Sequence, residues 1–101
     1  MIVKLNFHIV NVIKKTMDYR LYVDNDLIIE RMFEIGRFGD RDFMVDEQII
    51  VDLTEGEHTV RIEQVNYPEE FPPNSIVFKN MRVFDIHIPE GDNQTSICFY
   101  V

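Results

Sequence analysis

The densest concentrations of ligand-type side chains are three acidic clusters. They are Asp24-Asn25-Asp26, Asp40-Arg41-Asp42 with Asp46 and Glu47, and Glu90-Gly91-Asp92-Asn93. Oxygen-rich loops of this kind are where calcium binds, taking about six to eight ligands. Asp40, Asp42 and Asp46 form the best candidate set, and Arg41 in their midst opposes it. None of the clusters has the ligand spacing of a helix-loop-helix calcium site, and Asp and Asn also serve turns directly. The expectation is therefore no cofactor, with calcium as the alternative. His8, His58 and His87 are far apart in sequence and lack zinc-ligand spacing. Ser75 and Ser96 lie in no nucleophile motif, and no glycine-rich phosphate loop exists. The expectation is a chain that is not an enzyme.

Two further groups suit contact with another protein. Tyr67 and Phe71 sit among Pro68, Pro72 and Pro73. A backbone stiffened by proline loses little entropy on docking, and aromatic side chains suit interfaces. Arg37-Phe38 in the other irregular stretch is a similar, smaller case. Tyr67, Phe71, Arg37 and Phe38 are thus the candidate interface residues. The alternative for Phe71 is that it folds back over the end of the domain.

The elements that must position these residues follow a period of two. Val3, Leu5, Phe7 and Ile9 share a face opposite Lys4, Asn6 and His8. At Ile9-Val10 the phase slips, which suggests a bulge or bend. Met17, Tyr19, Leu21 and Val23 alternate next. A loop of Asp24-Asn25-Asp26 would set Val23 opposite Leu27 and Leu21 opposite Ile29. Residues 27–35 also admit a short helix capped by Asp26 and ended by Gly36. The χ1 restriction of Ile28 and Ile29 favours strand.

Gly36 to Glu47 reads as a long loop, crossing from one sheet to another. Ile49, Val51 and Leu53 resume the alternation, and Gly56 offers positive φ at the following turn. His58, Val60 and Ile62 return on one face. The prolines make 66–74 a second surface loop. Ile76 and Phe78 start a strand, with a turn or bulge expected at Lys79-Asn80. Arg82, Phe84, Ile86 and Ile88 read as one face of the strand that follows. Pro89 to Asn93 is a turn signal, and Thr95, Ile97, Phe99 and Val101 form a last strand. If that strand lies at an edge, it would template pairing with a neighbour; if central, it is already paired. Cys98, within it, is alone and reads as a half-buried small hydrophobe.

The expected class is all-β: an antiparallel two-sheet sandwich, jelly-roll or Ig-like, of about seven to eight strands. Residues 1–101 read as a single domain, a length suited to one core.

Within residues 19–65 two hairpins resemble those of jelly-roll carbohydrate-binding modules. Tyr22-Val23-Asp24-Asn25-Asp26-Leu27-Ile28 is similar to their Y-V-D-G-x-L-V string. Val51-Asp52-Leu53-Thr54-Glu55-Gly56-Glu57-His58-Thr59-Val60-Arg61 is similar to their V-x-L-x-x-G-x-H-T-V-R string. The resemblance implies a two-sheet sandwich, and fold alone does not carry sugar binding. The chain departs from the pattern in having no Trp for a sugar platform. Some members bind sugar through calcium, so a calcium-assisted glycan-binding module is the alternative function.

The chain has 101 residues, with 18 Asp and Glu against 10 Lys and Arg, a formal charge of −8. That excess opposes direct contact with nucleic-acid phosphates. It leaves a second alternative, an acidic inhibitor mimicking nucleic acid, although the acids are diluted by Arg20, Arg31, Arg41, Arg61 and Arg82. No signal peptide and no apolar run long enough to span a bilayer are read. The expected site is cytoplasmic synthesis, with a virus particle as one home. The expected role is a non-catalytic structural or protein-interaction sandwich, such as an accessory or decoration component of a virion. Its partner would be another protein or further copies of itself, with no nucleic acid and no membrane.

Overall fold

The computed structural model describes residues 1–11, 16–34, 43–65, 76–89 and 92–101. Their strands, in chain order, are β1 (Ile2–Asn11), β2 (Thr16–Val23), β3 (Asp26–Glu34), β4 (Phe43–Asp52), β5 (Glu57–Gln64), β6 (Ile76–Val83), β7 (Ile86–His87) and β8 (Ser96–Tyr100). They form two four-stranded sheets, β4-β1-β6-β7 and β3-β2-β5-β8. Every strand pair is antiparallel. The protein is an all-β two-sheet sandwich. The β2–β3 and β6–β7 connections are hairpins within a sheet, and every other connection passes to the opposite sheet.

The alternation in the sequence becomes the core. Val3, Leu5, Phe7 and Ile9 of β1 face Tyr19, Leu21 and Val23 of β2 across the sandwich, joined by Val60 and Ile62 of β5 and Ile97 and Phe99 of β8. Phe7 meets Phe78 edge to face, with ring centroids 5.2 Å apart. Each such side chain removed from water contributes about 1.5–3 kcal/mol. Residues 26–34 are strand, as the χ1 restriction of Ile28 and Ile29 favours.

Four details of the sequence reading are corrected. First, β1 has no slip at Ile9-Val10: its register with β4 runs unbroken from Ile2 to Asn11. Val10 lies on the face opposite Ile9 and is nonetheless buried. The irregularity is in the partner, where β6 has an extra residue opposite Asn6–His8. Asn80 takes φ 55° there, and its N–H donates to Asp92 Oδ1 at 2.9 Å. That is the bulge expected at Lys79-Asn80.

Second, the β2–β3 turn has two residues, not three. Asp24 and Asn25 take φ 51° and 70°, the mark of a type I′ hairpin. Val23 therefore pairs with Asp26 and Tyr22 with Leu27; an irregularity after Leu21 restores the expected Leu21–Ile29 pair. Leu27 is left exposed.

Third, β4 starts at Phe43, so Asp46 and Glu47 belong to a strand rather than a loop. Glu47 hides the alternation because an acid occupies an inward position. It is 6% exposed.

Fourth, residues 82–88 are not one strand. The chain reverses at Phe84-Asp85, with φ 51° and 68°, and Val83 pairs with Ile86. Met81 and Val83 face the core, whereas Phe84 and Ile86 are exposed.

Candidate functional site

The two open sides of the sandwich are finished differently. On one side β3 lies over β4, and a polar cluster joins them. The Tyr19 hydroxyl donates to Glu47 Oε1 at 2.6 Å. Arg31 Nε donates to the same oxygen at 3.1 Å. Tyr19 and Arg31 come from one sheet and Glu47 from the other, so the cluster links the layers. Burial, then the neighbouring Glu47 carboxylate, hold the Tyr19 hydroxyl far above its ordinary range.

On the other side, β7 and β8 diverge around an apolar cleft of about 620 Å³. Phe84, Ile86 and Ile88 line it from one sheet, and Ile97, Cys98 and Phe99 from the other. Its form follows from the short β7. Just after His87 the Ile88 N–H donates to the Met81 carbonyl of β6 at 2.8 Å. The chain then bridges Phe78 through Gln94 and crosses to the other sheet as β8. Nothing among the described residues fills the gap left between the layers.

β8 is an edge strand. Val101 and Gly56 exchange both backbone bonds at 3.0 Å, with Gly56 at φ 125° as its turn requires. By the alternation of an antiparallel ladder, Phe99 and Ile97 then bond to His58 and Val60. The N–H and C=O groups of Ser96, Cys98 and Tyr100 consequently point away from β5. Among the described residues, no strand pairs with them.

Glu57 borders this edge. It accepts from Cys98 Sγ at 2.7 Å and from the Tyr100 hydroxyl at 3.3 Å. Its hydrogen bond, and then desolvation, raise the Cys98 thiol above its usual value. Its negative charge, and then its hydrogen bond, raise the Tyr100 hydroxyl. Cys98 is exposed rather than half-buried.

Phe84 is the residue of the cleft that its backbone suits least. A bulky side chain at positive φ crowds the following carbonyl, at about 1–2 kcal/mol. In return the side chain, 46% exposed, buries only about half its surface along the cleft.

Of the preferred calcium set Asp40, Asp42 and Asp46 and the interface candidates Arg37, Phe38, Tyr67 and Phe71, Asp46 is the one among the described residues. It sits on β4 with its carboxylate 3.1 Å from His8 Nε2. Among the described residues, no group of three or more His, Cys, Asp or Glu is arranged to hold a metal. Asp40, Asp42, Arg37, Phe38, Tyr67 and Phe71 lie outside the described residues. The face of the Tyr22 ring is covered by the Arg61 guanidinium at 4.3 Å. No helix among the described residues is long and apolar enough to cross a membrane.

The cleft was not legible in the sequence because its lining, within residues 83–100, belongs to two different sheets, and which strands flank each other is not written locally. The available signal was local: Asp85 interrupts the apolar run from Val83 to Ile86 and is a turn former. No protein-family model, no curated protein and no solved structure matches the chain.

Proposed function

We propose that the chain is a non-catalytic β-sandwich that works by binding another protein at its β7–β8 side. The observation that carries this reading is the apolar cleft between those strands. Ile86, 71% exposed, and Tyr100, 70% exposed, extend its apolar surface outward. Large apolar groups clustered on a surface are favoured where a partner covers them. The strained conformation of Phe84 adds support, because strain concentrates where function needs a side chain in a given place. The opposite side of the sandwich is instead tied across by Tyr19, Glu47 and Arg31.

A photo-crosslinking amino acid in place of Ile86 tests the reading in the cells the protein comes from. It should yield a defined adduct with a protein. The same group in place of Met32, equally exposed on β3, should not. A matching adduct from Met32 and none from Ile86 would place the contact elsewhere and sink the reading.

A further inference from the structure

The β7–β8 cleft has a backbone edge along one wall, and that edge limits what can occupy it. We infer that its occupant is an extended strand of another protein, alternating apolar and basic residues, which pairs with β8 and lengthens the β3-β2-β5-β8 sheet. The inference rests on the proposed function and specifies the partner's chemistry.

Three observations combine. The first is the hydrogen-bonding edge. The outward N–H and C=O groups of Ser96, Cys98 and Tyr100 offer a ladder to an added strand, since those of Ile97 and Phe99 are engaged by β5. The second is the cleft itself. In a strand paired to β8, residues opposite Ile97 and Phe99 point into the sandwich. They would enter the cleft against Phe84, Ile86 and Ile88, so they must be apolar. The third is charge. The intervening residues point outward, beside the row of Ser96, Cys98 and Tyr100 that Glu57 borders at one end, while Arg61, opposite Ser96 at the other, is engaged by the Tyr22 ring and Glu63. With a chain charge of −8, this face favours lysine or arginine there.

The same charge disfavours a second copy of this chain. A symmetric pairing of β8 with β8 would join two bodies of charge −8. The outward row of β8, Ser96, Cys98 and Tyr100, has no basic residue, and Arg61, opposite Ser96 on β5, is already engaged by the Tyr22 ring and Glu63.

The probe is a short synthetic peptide alternating lysine and valine. It is compared with one alternating glutamate and valine, and with a lysine–valine peptide N-methylated on one edge. N-methylation leaves side chains in place and removes the backbone donors. Binding is read by fluorescence anisotropy at low and high salt, with chain mass by light scattering. Cys98→Pro is the matched protein variant. The Cys98 N–H points to the free edge, so proline there spares the β5–β8 bonds; circular dichroism and melting verify the fold. Ile86→Lys, at an exposed position, is a second variant that leaves β8 unaltered.

The lysine–valine peptide should bind the native chain, more weakly at high salt. Binding should weaken by about tenfold or more with the N-methylated peptide, with the glutamate–valine peptide and with Cys98→Pro. Equal binding of the N-methylated peptide would overturn strand addition while leaving a protein-binding cleft. A dimer that Ile86→Lys dissolves, with no peptide bound, would make the occupant a second copy; the inference would fail and the cleft would stand. A monomer that binds none of the peptides would overturn the inference. The Ile86 crosslink would then decide the broader reading separately.

Discussion

The imidazole of His58 on β5 and the carboxylate of Asp24 in the β2–β3 turn are hydrogen-bonded through Nδ1. The other ring nitrogen, Nε2, lies 2.6 Å from the Thr54 carbonyl oxygen. A carboxylate and a carbonyl both accept, so both ring nitrogens must donate, and the ring is an imidazolium. Asp24 also accepts from the Thr59 N–H at 3.0 Å. The β2–β3 turn, the β4–β5 connection and β5 are thus tied through one nearly buried cation.

This tie gives stability a definite pH profile. The Asp24 hydrogen bond, and then the Thr54 carbonyl, raise the folded pKa of His58. Its contribution is complete below the ordinary histidine value of about 6.5 and is lost as pH rises through the higher folded value. Burial alone would raise Asp24, but His58 and the Thr59 amide together hold it below its ordinary value. Its contribution is complete above about 3.8 and is lost as pH falls through the lower folded value. The melting-temperature gap between the native chain and Asp24→Asn should be widest from about pH 4 to 6.5. It should shrink on both sides. A gap that is constant from acid to alkaline pH would show that the imidazolium pair does not stabilise the fold.

The inter-sheet contact of Tyr19 predicts a specific stability loss. Tyr19→Phe keeps the ring in the core but deprives Glu47 of a donor. A hydrogen bond to a charged group contributes about 1.5–3 kcal/mol, so Tyr19→Phe should destabilise by about 2 kcal/mol in urea unfolding. Glu47→Gln should cost less than Glu47→Ala, because the amide oxygen still accepts from Tyr19. Equal stability of Tyr19→Phe and the native chain would mean that water replaces the hydroxyl at no cost.

The sequence made the core legible wherever alternation was uninterrupted, as from Val3 to Ile9 and from His58 to Ile62. It was less legible where tertiary contacts override a local rule. Glu47 occupies an inward position because Tyr19 and Arg31, from the other sheet, supply donors; nothing near residue 47 in sequence announces them. Phe84 occupies a turn position that Gly or Asn would fill more easily, so the β6–β7 hairpin read as continuous strand. The edge position of β8 was left open, because strand order is set by which faces stack, not by the strand's own residues. The cleft depends on the last two, the turn at Phe84 and the edge position of β8. Arg37, Phe38, Tyr67 and Phe71 lie outside the described residues.

Glu57 predicts a slow thiol at Cys98. The thiolate is the nucleophile, and the Glu57 hydrogen bond holds Cys98 in its thiol form above the ordinary pKa. Although exposed, Cys98 should react with iodoacetamide near pH 8 more slowly than a thiol in an unfolded peptide. Glu57→Gln should accelerate alkylation several-fold, and the pH midpoint of the rate should fall. A midpoint unchanged by Glu57→Gln would remove Glu57 as the cause.

Phe84 should serve binding more than stability. Asn tolerates positive φ better than Phe, as Asn25 and Asn80 do elsewhere in this chain. Phe84 is 46% exposed, so replacing it also forfeits the burial of about half its side chain. Relief of about 1–2 kcal/mol of backbone strain and loss of part of the about 1.5–3 kcal/mol of full burial nearly cancel, so Phe84→Asn should leave stability within about 1 kcal/mol of the native chain in urea unfolding. The same variant removes an aromatic wall from the cleft, so it should weaken binding of the lysine–valine peptide. A variant that binds equally well would show that the strained conformation of Phe84 serves no contact. One that is less stable by more than this margin would show that Phe84 contributes more by packing than its conformation costs.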